Sequence, residues 1–257
     1  MKLRYILSLC FLTSTLLASV PTYQQLKRQW TGPLYQPYVT QGYMFNAHAN
    51  TQTPFKMVFS QSRSTIKVSV NTPITDSHVS MDTLFNVQSA TMNIYQKKLI
   101  DKLGYNQRIG TRNTDNSLVF NFYLHAQHIR NKGVDYDANT IDTFSIIPVL
   151  QQLCYINTMT AMSVKFSLPH LARRVPALIS KKVTTDLNPY FSKYTVPQRI
   201  ADLPKDIPYT IFALKVTRWQ GFIYNHHHYY VFSGSAPYHY VGQFGGPNKQ
   251  NLFYWVF

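Results

Sequence analysis

The sequence contains no glutamate, and all ten of its acidic residues are aspartate. This absence excludes the His-Glu-x-x-His metallopeptidases and the glycosidases that work with a pair of glutamates. The chain also lacks the Gly-x-Ser-x-Gly motif of α/β-hydrolases and a glycine loop that would hold a phosphate group. Because no nucleophile, base and orienting group can be assembled from what remains, we predict a non-enzymatic protein that uses no cofactor.

Cysteine is nearly absent, with only Cys10 and Cys154 in the chain. Cys10 lies in an N-terminal stretch in which two basic residues, Lys2 and Arg4, precede an uncharged and mostly apolar run at 6–17. This order is typical of a secretory signal peptide, and the run is too short to span a bilayer. We therefore predict a signal peptide at 1–19, a single mostly-β domain at 20–257, and export to the periplasm. Cys154 would then be the one cysteine of the mature chain, which excludes an intramolecular disulfide.

Negative charge is scarce, since 25 lysines and arginines against 10 aspartates give a net charge of +15 and a pI near 9.8. A basic surface attracts polyanions, although it also serves simple solubility. For an exported protein the expected partners are anionic lipid, lipopolysaccharide or acidic glycan, or an envelope protein, and not nucleic acid. The cations expected to meet an anionic headgroup at the rim of a binding site are Lys97, Lys98, Lys102, Arg108 and Arg112, or Arg173 and Arg174.

Short segments with alternating apolar and polar residues recur between turn residues along most of the chain. This period of two is typical of strands with one buried and one solvated face. We predict a mainly β protein, built as one curved antiparallel sheet or half-barrel. The predicted strands lie at 37–45, 55–59, 64–70, 83–87, 117–128, 161–168, 209–217, 226–232, 238–244 and 252–257.

Residues 143–155 break this alternation and predict a helix on the concave side of the sheet. Thr143 or Ser145 can cap it, Pro148 suits its first turn, and apolar residues recur at helical spacing from Ile146 to Leu153. Residues 91–103 are a second candidate helix with Gly104 as its terminating residue, but a strand is nearly as compatible with them. The proline-rich stretch 186–208 is predicted to be a long ordered loop, either a lid or a crossover.

Two blocks of sequence carry a resemblance to a known family. The first is DTFSIIPVLQQL, from Asp142 to Leu153, and the second runs from Pro208 through PYTIFALKVT to YYVFSGSAPYHYVGQF, which ends at Phe244. Together they resemble the exported bacterial family called domain of unknown function 3108, in its Asp-x-x-Ser start of a central helix and in its late strands. The resemblance implies a lipoprotein-carrier-like curved sheet wrapped on a helix, in the periplasm, with no established activity.

Aromatic residues crowd the last third of the chain. Such rings can line a pocket for acyl chains or stack on sugars, and they can equally be core. Tyrosine occurs on both alternating faces of the predicted strands, which is more than one core requires. We therefore predict that this region binds the apolar part of a lipid or glycan, through Tyr229, Tyr230, Phe232, Tyr238, Tyr240 and Trp255.

Two alternative functions follow from other features of the same region. His226 and His228 share one face of a strand, and His239 lies across the next turn, so the three could bind a metal ion in a metal-binding protein or a hydrolase. Aromatic residues occupy alternating positions at 253, 255 and 257, and the last of them is Phe257. The assembly signal of outer-membrane β-barrels has the same pattern. The outer membrane is accordingly the alternative location.

Overall fold

The fold was analysed in a computed structural model. It describes residues 20–30, 37–46, 51–115, 117–168, 173–192, 194, 196–201, 203–216, 218–219, 222–223, 227–245 and 252–256. The predicted signal peptide and His226 lie outside these residues. Among the described residues, no helix is both long enough and apolar enough to cross a membrane.

The described residues form seventeen strands and five short helices. The helices are α1 (Tyr23–Lys27), α2 (Lys97–Leu103), α3 (Ile146–Cys154), α4 (Asn188–Phe191) and α5 (Gln198–Ala201). The strands are β1 (Tyr38–Asn46), β2 (Thr51–Gln61), β3 (Ile66–Asn71), β4 (Thr75–Met81), β5 (Val87–Ile94), β6 (Gln107–Arg112), β7 (Ser117–Leu124), β8 (Gln127–Asp135), β9 (Thr140–Asp142), β10 (Ala161–Leu168), β11 (Arg173–Thr184), β12 (Tyr209–Val216), β13 (Arg218–Trp219), β14 (Phe222–Ile223), β15 (His227–Ser233), β16 (Tyr240–Gly245) and β17 (Leu252–Val256).

Fifteen of these strands form one curved, unclosed sheet in the order β8-β7-β6-β5-β4-β3-β2-β1-β17-β16-β15-β12-β11-β10-β9. All its pairs are antiparallel except β9 with β10, and β13 and β14 form a separate two-stranded ribbon. The prediction of a mainly β protein with one curved antiparallel sheet and a helix near 143–155 is confirmed.

The two edge strands of the sheet, β8 and β9, are consecutive in the chain and are joined by residues 136–139. Ionic contacts hold this junction against β10 and β11. Arg174 lies 3.2 Å from an oxygen of Asp137 and 3.7 Å from one of Asp135, and Lys165 also pairs with Asp137. The edges therefore approach each other at this one end, although the sheet does not close.

The helix α3 is almost completely buried, and an aspartate holds its first turn. Asp142, which is inaccessible to solvent, accepts hydrogen bonds from the backbone N–H groups of Phe144 and Ser145 at 2.6 and 2.7 Å. The hydroxyl of Tyr136 donates to the same carboxylate at 2.7 Å. Ser145 occupies the N-cap position, but its side chain makes no capping hydrogen bond to the helix, so Asp142 instead fixes the two residues that lead into the first turn.

A lysine binds the other end of α3. The ammonium group of Lys181, on the inner face of β11, donates to the carbonyl oxygens of Leu153, Cys154 and Ile156 at 3.1, 2.9 and 3.0 Å. A cation at this position is a further donor for these carbonyls, of which those of Leu153 and Ile156 also accept backbone N–H groups, and it is favoured by the helix dipole. Burial lowers the pKa of Lys181 from its ordinary value.

The sheet has a hydrophobic core on each face. The inner core contains α3 and the inward-facing residues of most strands, among them Phe59, Phe120, Phe212 and Phe232. The outer core lies on the opposite face of β15, β16 and β17, where the segment 187–203 covers Val231, Phe244 and Trp255. Phe191 of α4 lies 4.9 Å from Phe244 between ring centres. The proline-rich stretch is thus a cover over the outer face of the sheet.

Two helices differ from expectation. Residues 91–103 contain both predicted elements, because β5 continues to Ile94 and α2 begins at Lys97. Gly104 caps the end of α2, and its φ of 72° suits glycine. The short α1 was not predicted. Thr22 and Gln25 form a capping box at its start, and Tyr23 and Leu26 enter the inner core.

Replacing Lys181 by methionine should lower the free energy of unfolding by about 1–3 kcal/mol, because three carbonyls at the end of α3 lose a charged donor. Denaturant unfolding followed by circular dichroism measures this loss. Lys182→Met, on the exposed face of the same strand, is the matched control and should stay within about 0.5 kcal/mol of wild type. Equal losses in the two variants would contradict the assigned role of Lys181.

Candidate ligand-binding site

A groove of about 280 Å³ lies where β1 and β16 flank the end of β17. Its lining combines the inward-facing Tyr38, Tyr240 and Val256 with Val39 and Val241 on the opposite face, so it opens between the two strands. Val39 is 56% exposed at its outer side. The groove is lined by Tyr38, Val39, Thr40, His239, Tyr240, Val241 and Val256.

Tyr38 connects this groove to the inner core. Its ring stacks on Phe59 at 4.4 Å and meets the ring of His239 edge-on at 5.0 Å. Its hydroxyl donates to the side-chain oxygen of Gln151 on α3 at 3.3 Å and also bonds the backbone of Tyr240. Burial raises the pKa of Tyr38 well above its ordinary value, so the hydroxyl stays neutral. The wall of the groove is therefore fixed to the central helix by a neutral polar group.

The six predicted ligand-binding aromatics do not gather at one place. Tyr230, Phe232 and Tyr240 belong to the inner core, and Trp255 and the half-buried Tyr229 belong to the outer core. Tyr238 is half-buried and meets Tyr155 edge-on at 4.8 Å. Of the six, Tyr240 lines the groove. Two cores on opposite faces account for tyrosine on both alternating positions of these strands.

The structure does not bring His228 and His239 together. On β15, His228 lies opposite Gly245 of β16, whereas the carbonyl of His239 accepts a hydrogen bond from Ser233, five residues further along the same strand. At about 3.3 Å per residue this separates the two positions by about 17 Å. No group of three or more His, Cys, Asp or Glu within the described residues could hold a metal ion. The three-histidine site stays a sequence prediction.

The predicted rim cations have different surroundings. Lys97, Lys98 and Lys102 are exposed on α2, as a rim would require. Arg174 is engaged with Asp135 and Asp137, and the side chain of Arg173 lies outside what the structure describes. Arg108 is only 6% exposed and Arg112 is half-buried, so the expectation of a rim position was wrong for Arg108. Both arginines face inward because they occupy the core-facing positions of β6.

Sequence reasoning missed most of the groove. Tyr38, Val39 and Thr40 are about 200 residues away in sequence from Tyr240 and Val241. Each of these two segments alone is typical of an ordinary strand. The groove exists because β1 and β16 lie on either side of β17. No local sequence pattern predicts that these two strands lie on either side of β17.

The comparisons with known proteins address the fold alone. No model of a known protein family matches the chain, and no curated protein matches it. Among solved structures, the chain is similar to the β-barrel-like protein of domain of unknown function 1849 from Brucella abortus. The similarity has a TM-score of 0.52 at 5% identity and covers 86% of this chain and 95% of that one. The resemblance to the 3108 family stays a prediction.

His228 should make the folded state less stable in acid. Its half-buried ring stacks on Tyr230 at 4.7 Å, and burial lowers the pKa of His228 to about 4 from 6.5. The unfolded chain then binds the extra proton first, so stability is complete above about pH 6.5 and falls as the pH drops towards 4. In chelator-treated protein, His228→Gln should flatten this fall. His239→Gln, at an exposed position, should leave the slope unchanged, and identical slopes in all three proteins would refute the assignment.

Proposed function

We propose that the protein is a non-enzymatic binding protein of the cell envelope, whose ligand is an amphipathic lipid or glycan. The observation that carries this proposal is the groove between β1 and β16, which offers an apolar surface beside fixed aromatic rings. The similarity to a β-barrel-like protein of unknown function is compatible with a binding fold and adds no ligand of its own.

The outer part of the groove suits an apolar chain. Val39 and Val241 present branched aliphatic side chains there, and Val39 leaves more than half of its surface to solvent. Covering this surface with an acyl chain or the face of a sugar ring would remove apolar area from water. The half-buried ring of Tyr38 gives the same groove a wall on which a sugar or a chain can stack.

The polar part of the ligand is expected to be anionic. The net charge of +15 attracts anions from any direction, and α2 carries three exposed lysines. Anionic lipid, lipopolysaccharide and acidic glycan all combine a negative group with a large apolar or ring surface. An envelope protein that presents such a surface would be recognised by the same means.

Replacing Val39 by aspartate should weaken binding of lysophosphatidylglycerol, used below its micelle concentration, by at least about tenfold. The substitution puts a charge in the apolar groove and repels an anionic probe. Titration calorimetry with purified full-length protein measures the affinity. Val183→Asp is the matched control, since Val183 is likewise 56% exposed but lies on β11, and its affinity should equal that of wild type.

Native mass spectrometry of protein purified from its own envelope identifies the ligand itself. A mass that leaves on mild activation, and that is reduced in Val39→Asp but not in Val183→Asp, is the expected result. Protein that carries no added mass and does not bind the lysolipid would overturn the proposal.

The location is proposed to be the periplasm, on the basis of the leader-like residues 1–19. Osmotic shock should release the protein, with its N-terminus cleaved near residue 19, as Edman or mass-spectrometric sequencing would show. Retention in carbonate-washed membranes together with heat-modifiable migration in detergent gels would instead favour the outer membrane.

A further inference from the structure

The inner face of β6 carries charge where a core-facing strand is normally apolar. Its inward positions are Arg108, Gly110 and Arg112, in the middle of the run β5-β6-β7. A Cβ on Gly110 would lie 2.5 Å from the ring of Phe120, so glycine lets this ring lie flat on the sheet between the two arginines. Arginine almost never lies in such a position without a partner for its charge.

Arg108 lies between two aromatic rings. Its guanidinium carbon is 5.4 Å from the centre of Phe120 and 5.0 Å from that of Phe144, and one terminal nitrogen is 3.5 Å from the sulfur of Met92. Its Nε is buried and has no hydrogen-bond partner. The rings and the thioether stabilise the cation only in part, because none of them accepts a strong hydrogen bond.

Arg112 repeats this arrangement two inward positions, about 13 Å, further along the strand. Its Nε donates to the backbone carbonyl of Val87 at 2.7 Å, and its guanidinium carbon is 5.0 Å from the centre of the Tyr136 ring. Its terminal Nη2 is buried without a hydrogen-bond partner. Both guanidinium groups thus lie against the same stretch of chain, 136–144, which surrounds Asp142.

The local charges do not balance. Asp142 is the carboxylate that acts on Arg108, but it already accepts three neutral donors at 2.6–2.7 Å. Among the described residues, no carboxylate oxygen lies within 4.0 Å of either arginine. Lys27 lies close enough to Arg112 and Asp82 to interact with both charges, so three cations face two carboxylates here. One buried N–H group on each arginine is left to donate. An oxyanion supplies both the missing charge and the missing acceptors.

We propose that Arg108 and Arg112 form an anion site on the inner face of the sheet, which binds the oxyanion of a carboxylate or phosphate group. The flanking rings of Phe120, Phe144 and Tyr136 favour an oxyanion attached to an apolar body over a free inorganic ion. The site does not depend on the groove, since β6 and β1 are separated by four strands of the sheet.

Thermal unfolding of the full-length protein with inorganic phosphate or with laurate tests the site. At a hundredfold excess over its dissociation constant, a bound anion should raise Tm by about 5–10 °C. A rise in Tm with laurate alone supports the site and indicates that its ligand is a lipid carboxylate. A rise in Tm with both probes supports the site and indicates that a free oxyanion is enough. If neither laurate nor phosphate raises Tm, the proposal is overturned.

Arg108→Met separates binding from a purely structural role. If the arginine serves binding, the variant should fold at least as well without added anion, because a buried charge is replaced by an apolar side chain, and its affinity for the effective probe should fall at least about tenfold. Arg130→Met is the matched control: Arg130 lies 5.0 Å from the Phe122 ring but is exposed on β8, and it should bind as wild type does. Equal anion-induced shifts in wild type and Arg108→Met would overturn the proposal.

A second measurement covers the case in which Arg108→Met does not fold. In ¹⁵N-labelled wild-type protein, the Nε–H resonance of Arg108, assigned through Arg108→Lys, should move on addition of the effective probe. The resonance of Arg130 should stay in place. An Arg108 resonance that does not move at saturating probe would refute the site whatever the variant does.

Discussion

The attachment of α3 to the inner face of the sheet is the interaction on which the rest of this structure depends. A curved sheet of fifteen strands has a concave apolar face too large to collapse on itself, and a buried helix fills it. Burial would leave the polar groups at both helix ends without water, at a cost of several kcal/mol if they stayed unpaired. Asp142 accepts the N–H groups of Phe144 and Ser145 at one end, and Lys181 donates to three carbonyls at the other.

These two residues also connect distant parts of the chain. Asp142 links the turn between the sheet edges to the helix through Tyr136, and Lys181 links the helix to β11. Tyr38 adds a third connection, from β1 to Gln151 on the same helix. These contacts position both the groove and the two arginines of β6, Arg108 and Arg112, relative to α3. A substitution that displaces α3 should therefore alter the geometry of both proposed binding sites.

The sequence was most informative where a pattern is local. The apolar stripe from Ile146 to Leu153 and the first-turn Pro148 predicted α3, and alternation predicted nine of the seventeen described strands. The strand predicted at 83–87 was wrong, because residues 83–86 form the turn before β5. Residues 91–103 were ambiguous because a strand and a helix meet inside them, at Ile94 and Lys97. Arg108 was placed at a rim because charged side chains are almost always exposed, and no strand was predicted at 107–112 that would have shown its core-facing position. The groove and the outer core depend on strand order, and strand order is a long-range property of the chain.

That strand order also has a consequence for how the protein is made. β1 and β17 pair with each other in the middle of the sheet, Gly42 opposite Val256, so β1 cannot complete its pairing until β17 has been synthesised. Until then β2 covers one side of β1 and its other side is an open edge, in a chain whose many Tyr and Phe side chains would favour association. Folding before β17 is complete would leave both β1 and β16 as templates for strands of other molecules. The strand order itself therefore exposes the incomplete chain to association, whatever the stability of the finished sheet.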